Sequence, residues 1–144
     1  MKKLQDNIVA LATPPGPSAL AIVRVSGKNL KKLYKQLTKK NTQGRRAVVT
    51  FIYDPKTNKR LDESVIIYYK GPKSFTGEDI IEIVCHGGTF IANSIIATIV
   101  QLGARYANPG EFSLRAFYGG KIDLIQAESI NDLIQSNSLM SAEI

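Results

Sequence analysis

Two short apolar runs rich in β-branched residues set the architecture that this chain can adopt. They are "ALAIVRVSG", residues 19–27, and "DIIEIVC", residues 79–85, and each is followed or closed by glycine within a few residues. Runs of this length and composition are typical of strands inside a sheet. We predict that residues 19–27 form a central strand buried on both faces, and that residues 79–85 form another strand.

Apolar spacing predicts the helices that pack on these strands. Between Lys28 and Thr38, apolar residues recur every three or four positions opposite a row of lysines, which indicates an amphipathic helix. The segment "TFIANSIIATIVQL" is apolar almost all round and precedes Gly103, which predicts a buried helix that ends at this glycine. We predict a short helix at "EFSLRAFY" and a last helix that starts at Asp123.

Further strands complete the predicted sheet. The runs "AVVTFIY" and "SVIIYYK" flank "DPKTNKRLDE", whose proline, asparagine and charges predict a connection longer than a tight turn between two antiparallel strands. A short strand is expected at "ARYANPGE". The fold class that follows is α+β, with a mixed, mainly antiparallel sheet packed with helices.

Several classes of protein are disfavoured. The N-terminal apolar runs are cut by polar residues and prolines, so we expect neither a signal peptide nor a membrane span, and a cytoplasmic protein. One cysteine and one histidine cannot supply the three or four protein ligands of a zinc site, so we expect no metal. The chain contains no phosphate-binding P-loop and no serine-hydrolase elbow.

The positive charge of the chain is unevenly distributed. Residues 1–73 contain 16 Lys and Arg against 4 acids, whereas residues 74–144 contain 3 against 8. A basic face of this kind fits two interpretations, a solvated lysine surface or a binding site for the phosphate backbone of RNA. A basic RNA-binding module therefore remains an alternative function.

Cys85 and His86 are adjacent, and two glycines follow them. Neighbouring residues of a strand point to opposite faces, so we predict that these two side chains do not form a catalytic dyad. We expect Cys85 to be an inert core thiol and His86 to lie at the strand end, where the glycines allow a turn or the close approach of a ligand.

Glu82 and Arg24 are charged residues within apolar strands, where a bare charge is costly unless it is paired. One interpretation is an ion pair between the two strands. The other is a pocket with a polar floor, in which a ligand with complementary groups binds both charges. Lys121 follows two glycines and is expected at a bend. On its own, this position is only a weak indication of a binding site.

Five ordered blocks resemble one known family. They are "IVALATPPG", "AIVRVSG", "GPKSFTGEDIIEIVCHGG", "NPGEFSLRAF" and "GKIDLIQAESINDLI", and they span residues 7 to about 135. This pattern is similar to the N-terminal domain of the MnmE/TrmE family of tRNA-modification GTPases. The stretch of roughly 38–62 matches poorly and falls where loop variation is expected.

The resemblance implies a fold similar to the folate-binding domain of aminomethyltransferase-type proteins. It also implies a site for 5-formyl-tetrahydrofolate, or a similar tetrahydrofolate derivative, and a homodimer formed through this domain. Residue by residue, the family's cofactor-binding positions correspond to Arg24, Glu82 and Lys121. It implies no catalytic residue in this segment.

The resemblance further implies how the chain serves a longer protein. Residues 1–120 would form the folate-binding and dimerisation domain, and residues 121–144 the first helix of a truncated helical domain. GTP, Mg²⁺ and K⁺ would bind only a missing G domain, while tRNA and an MnmG-type flavin-dependent protein would be the partners in modifying the wobble uridine at carbon 5. Two alternatives remain open beside RNA binding: a folate enzyme using Cys85 or His86, and a purely structural dimerisation scaffold.

Overall fold

The computed structural model describes residues 6–123 and residue 125, and these form one six-stranded sheet with three helices. In chain order the elements are β1 (Ile8–Leu11), β2 (Leu20–Gly27), α1 (Lys31–Thr38), β3 (Val48–Asp54), β4 (Lys59–Tyr69), β5 (Asp79–His86), α2 (Thr89–Gln101), β6 (Arg105–Tyr106) and α3 (Glu111–Tyr118). Across the sheet the order is β3-β4-β5-β2-β1-β6, antiparallel except where β1 pairs with β6. The predicted α+β class is confirmed, whereas the helix predicted from Asp123 lies outside the described residues.

Strand β2 occupies the centre of the sheet, as predicted, between β1 and β5. Its residues Ala21, Val23 and Val25 are buried in a core that both α1 and α2 help to form. On the opposite face Ile22 and Arg24 are only half-buried. The prediction that this strand is buried on both faces is therefore wrong, because α1 and α2 pack on one face only.

The helices follow the predicted spacing with shifted limits. Helix α1 starts at Lys31, three residues later than predicted, and the N–H of its N-cap residue Leu30 donates to the Tyr68 hydroxyl at 3.1 Å. Helix α2 ends before Gly103, whose φ of 116° favours glycine, as predicted. It is not buried all round, since Phe90 is 82% exposed. None of the helices within residues 6–123 is long and apolar enough to cross a membrane.

The hairpin of β3 and β4 is tighter than the sequence indicates. Strand β4 already begins at Lys59, so the connection is only residues 55–58, and the Asn58 N–H donates to the Asp54 carbonyl at 2.7 Å. Asn58 has a φ of 60°, a conformation that asparagine tolerates. The predicted long connection is wrong because the polar residues after Lys59 form the exposed end of a strand.

Candidate functional site

Arg24 and Glu82 lie directly opposite each other on β2 and β5. The Arg24 Nε and Nη2 atoms both donate to Glu82 Oε2, at 2.9 and 2.8 Å. The ion pair that the sequence left open is therefore present. It is not sealed, since the two side chains retain 31% and 20% of their exposure. The pair forms an accessible polar floor on the sheet face away from α1 and α2.

An open cavity of about 510 Å³ lies over this floor. It brings together the three residues that the sequence singled out as cofactor-binding, although Lys121 comes from a distant part of the chain. Its lining consists of Arg24, Arg45, Tyr69, Lys73, Ser74, Phe75, Ile80, Glu82 and Lys121. Its volume falls within the range typical of small-molecule sites.

Aromatic rings surround the charged floor. The Arg24 guanidinium carbon lies 6.0 Å from the ring centroid of Phe75 and 5.9 Å from that of Phe112, which are cation–π distances. Burial raises the pKa of Tyr69, and the negative charge of Glu82 and a hydrogen bond to it add to this rise. The Tyr69 hydroxyl therefore stays protonated as a donor beside the carboxylate.

Two glycine-containing loops position Lys121. A Cβ atom on Gly119 would lie 2.5 Å from the Thr76 carbonyl oxygen, so only glycine allows this approach. On the other side, a Cβ atom on Gly77 would lie 3.7 Å from Lys121 Cε. The Lys121 N–H donates to the Ala116 carbonyl at 2.8 Å. The close contact of the two loops thus holds the lysine backbone beside the cavity.

A buried arginine of α3, Arg115, connects the segments next to these loops. The Arg115 Nη1 donates to Glu78 Oε1 at 3.0 Å, and its Nη2 donates to Asp6 Oδ1 at 2.9 Å. The Ser26 hydroxyl donates to the same Glu78 oxygen at 2.8 Å. Arg115 is almost fully buried. Its charged hydrogen bonds link α3 to the chain before β1 and to the loop before β5.

Glu111 extends this ion network at the start of α3. It accepts hydrogen bonds from Arg105 Nη1 at 2.8 Å and from the Asn108 N–H at 2.9 Å. Burial alone would raise the pKa of Glu111, but these hydrogen bonds and the charges of Arg105 and Arg115 bring it below its usual value. Glu111 is therefore anionic, and α3 is fixed to β6.

Cys85 and His86 do not converge, as predicted. Cys85 is fully buried, with its Sγ 3.5 Å from the Ala21 carbonyl oxygen, whereas His86 is exposed. The His86 Nδ1 lies 2.9 Å from Asp62 Oδ1. Neither side chain lines the cavity over Arg24 and Glu82, which disfavours both as nucleophiles acting there.

We expect Cys85 to resist alkylation in the folded domain. Burial raises the pKa of its thiol, and the negative charge of Asp62 adds to the rise, so little reactive thiolate is present. Mass spectrometry after iodoacetamide treatment should show modification at least about 100-fold slower than in urea, because reaction requires local opening. Equal rates in the two conditions would contradict an inert thiol.

Sequence reasoning missed several residues of the cavity. Phe75 and Lys73 belong to the quoted block "GPKSFTGED", where an aromatic residue in a turn-rich loop was the available signal. Arg45 comes from the stretch that resembles the family least, and no signal in the sequence places it beside Glu82. Its position follows only from the folded loop between α1 and β3.

Comparison with known proteins places the sequence of this chain in one family. The family described as "GTP-binding protein TrmE N-terminus" matches residues 7–121. A "tRNA modification GTPase MnmE" of Aliarcobacter butzleri is 48% identical over 134 residues, which cover 92% of this chain and 30% of the relative. A protein of the same name from Fervidobacterium nodosum is 45% identical over 146 residues, covering 97% and 32%. The chain spans less than a third of the length of these relatives.

Proposed function

Since this chain belongs to the family of TrmE N-terminal domains, we propose that it binds a 5-formyl-tetrahydrofolate-type one-carbon carrier and forms a homodimer. The observation that carries the folate proposal is the open cavity in which Arg24, Glu82 and Lys121 meet. A carrier bound there would supply a one-carbon unit, and the residues of this chain would bind and orient it. The predicted likeness to aminomethyltransferase-type domains stays a prediction.

The donors and acceptors of the cavity fit such a carrier. A carboxylate offers about four acceptor positions; Arg24 uses two, both on Oε2, and the Tyr69 hydroxyl uses another, so Glu82 retains capacity for an N–H donor of a pterin ring. Phe75 and Tyr69 offer aromatic surface to a planar ring. Lys121 adds a positive charge suited to the anionic glutamate tail.

We propose that the domain serves tRNA modification. The relatives are named tRNA modification GTPases, and we assign to this chain a supporting role in modification of the wobble uridine at carbon 5, together with an MnmG-type flavin-dependent protein. The chain contains no P-loop, so we place binding of GTP, Mg²⁺ and K⁺ in a separate G domain. On this proposal the chain does not hydrolyse GTP by itself.

Calorimetry with 5-formyl-tetrahydrofolate, combined with the mass of the protein in solution, tests the proposal. We expect saturable binding of one carrier per chain and the mass of a dimer. If the site requires both subunits, the affinity should weaken when the protein is diluted below its dimerisation constant. No binding at millimolar carrier would refute folate binding, and a monomeric mass would refute dimerisation.

Exposed lysines on α1, including Lys31, Lys32 and Lys35, favour RNA binding as a second candidate function. A basic RNA-binding module would bind tRNA with an affinity that falls steeply with salt. It would also bind equally well with and without folate. Titration of tRNA at low and high salt, with and without 5-formyl-tetrahydrofolate, distinguishes this function from the proposed one.

A further inference from the structure

Arg45 and Lys73 line the cavity but have no role in the assignments above. Both are exposed, and they come from different loops, Arg45 from the loop between α1 and β3 and Lys73 from that between β4 and β5. The Arg45 Nη2 donates to the Lys73 carbonyl oxygen. The Arg45 guanidinium carbon also lies 5.6 Å from the ring centroid of Tyr69. These two contacts hold Arg45 against the cavity wall.

The charges of the cavity are unbalanced. Among the described residues that line it, Arg24, Arg45, Lys73 and Lys121 are cations, and Glu82 is the one carboxylate. Arg24 already pairs with Glu82. The remaining positive charge exceeds what the two carboxylates of a single glutamate tail would neutralise. An anion with more carboxylates matches the cavity better.

We propose that Arg45 and Lys73 form a subsite for the additional γ-linked glutamates of a polyglutamylated folate, and so select that form over the monoglutamate. This inference rests on the proposed folate binding. Each added γ-glutamyl unit contributes one more carboxylate. A guanidinium has five N–H donors, so Arg45 retains donors for a carboxylate after bonding the Lys73 carbonyl. The ring system would remain with Glu82 and Arg24.

Calorimetry with mono- and triglutamyl 5-formyl-tetrahydrofolate tests this subsite. We expect the wild-type chain to bind the triglutamate about tenfold more tightly at low salt, equivalent to about 1.4 kcal/mol, and less selectively at high salt. Arg45→Ala should reduce the preference to about twofold, because the extra carboxylates lose a bidentate partner. Lys73→Ala keeps the backbone carbonyl that bonds Arg45, and should reduce the preference for the triglutamate partly.

Arg46→Ala is the matched control, because Arg46 is the neighbouring exposed arginine and does not line the cavity. It should keep the full preference. Equal affinity of the wild type for both forms would overturn the subsite, as would an unchanged preference in Arg45→Ala or an equal loss in Arg46→Ala. Failure of both folates to bind the wild type would instead refute the proposed function, and the subsite with it.

Discussion

Glu82→Ala is expected to raise the dissociation constant for 5-formyl-tetrahydrofolate by at least about 30-fold. The substitution removes the acceptor that the floor of the cavity offers to an N–H donor of the pterin ring. Hydrogen bonds to a charged group contribute about 1.5–3 kcal/mol each, and a loss of about 2 kcal/mol corresponds to about 30-fold in affinity. Isothermal titration of the variant against the wild-type chain measures the change.

Two further variants make this measurement specific. Glu82→Gln retains one acceptor oxygen and should bind with intermediate affinity. Glu63→Ala removes an exposed carboxylate of β4 that does not line the cavity, and should bind like the wild type. If Glu82→Ala kept its folate affinity and lost only stability, the contact with Arg24 would be a structural ion pair and the folate assignment would be wrong.

Arg115→Met is expected to lower the free energy of unfolding by about 3–5 kcal/mol, the usual cost of removing one partner from a buried ion network. The substitution keeps much of the side-chain volume but leaves Glu78 and Asp6 without the guanidinium that bonds both. Urea unfolding followed by circular dichroism measures the loss.

Arg46→Met provides the matched control, since the same change at an exposed arginine should alter the free energy of unfolding by less than about 0.5 kcal/mol. We also expect Arg115→Met to weaken folate binding. Glu78, which Arg115 bonds, follows Gly77 in the loop before β5, and Gly77 lies close to the Lys121 side chain. A loss of stability similar to that of the control would show that Arg115 is dispensable for the fold.

The charged pair was predictable in part. A single acid and a single guanidinium among apolar neighbours indicate that both residues need partners, whatever the topology. Periodicity does not give strand order or register, so the sequence left an ion pair and a pocket as alternatives. The structure shows the ion pair and an open cavity together, because β2 and β5 are neighbours and place Arg24 opposite Glu82.

Other features could not be read from local pattern. Burial of β2 on both faces was inferred from apolar residues such as Ile22, but an apolar residue can also lie on a half-open sheet face. The outer half of β4 is polar and resembled a loop, since strand ends that extend into solvent need no apolar residues. Arg45 lies at the cavity because of the path of the loop between α1 and β3, and the spacing of apolar residues does not predict the path of a loop.

The residues that line the cavity come from two kinds of backbone, central strands and loops. Arg24 and Glu82 project from central strands that are hydrogen-bonded to neighbours on both sides, whereas Arg45 and Lys73 project from loops. Amide hydrogens of the strands should exchange with deuterium far more slowly than those of the loops. Substitutions in the loops can therefore change the contacts at the edge of the cavity, while Arg24 and Glu82 keep their positions on the strands.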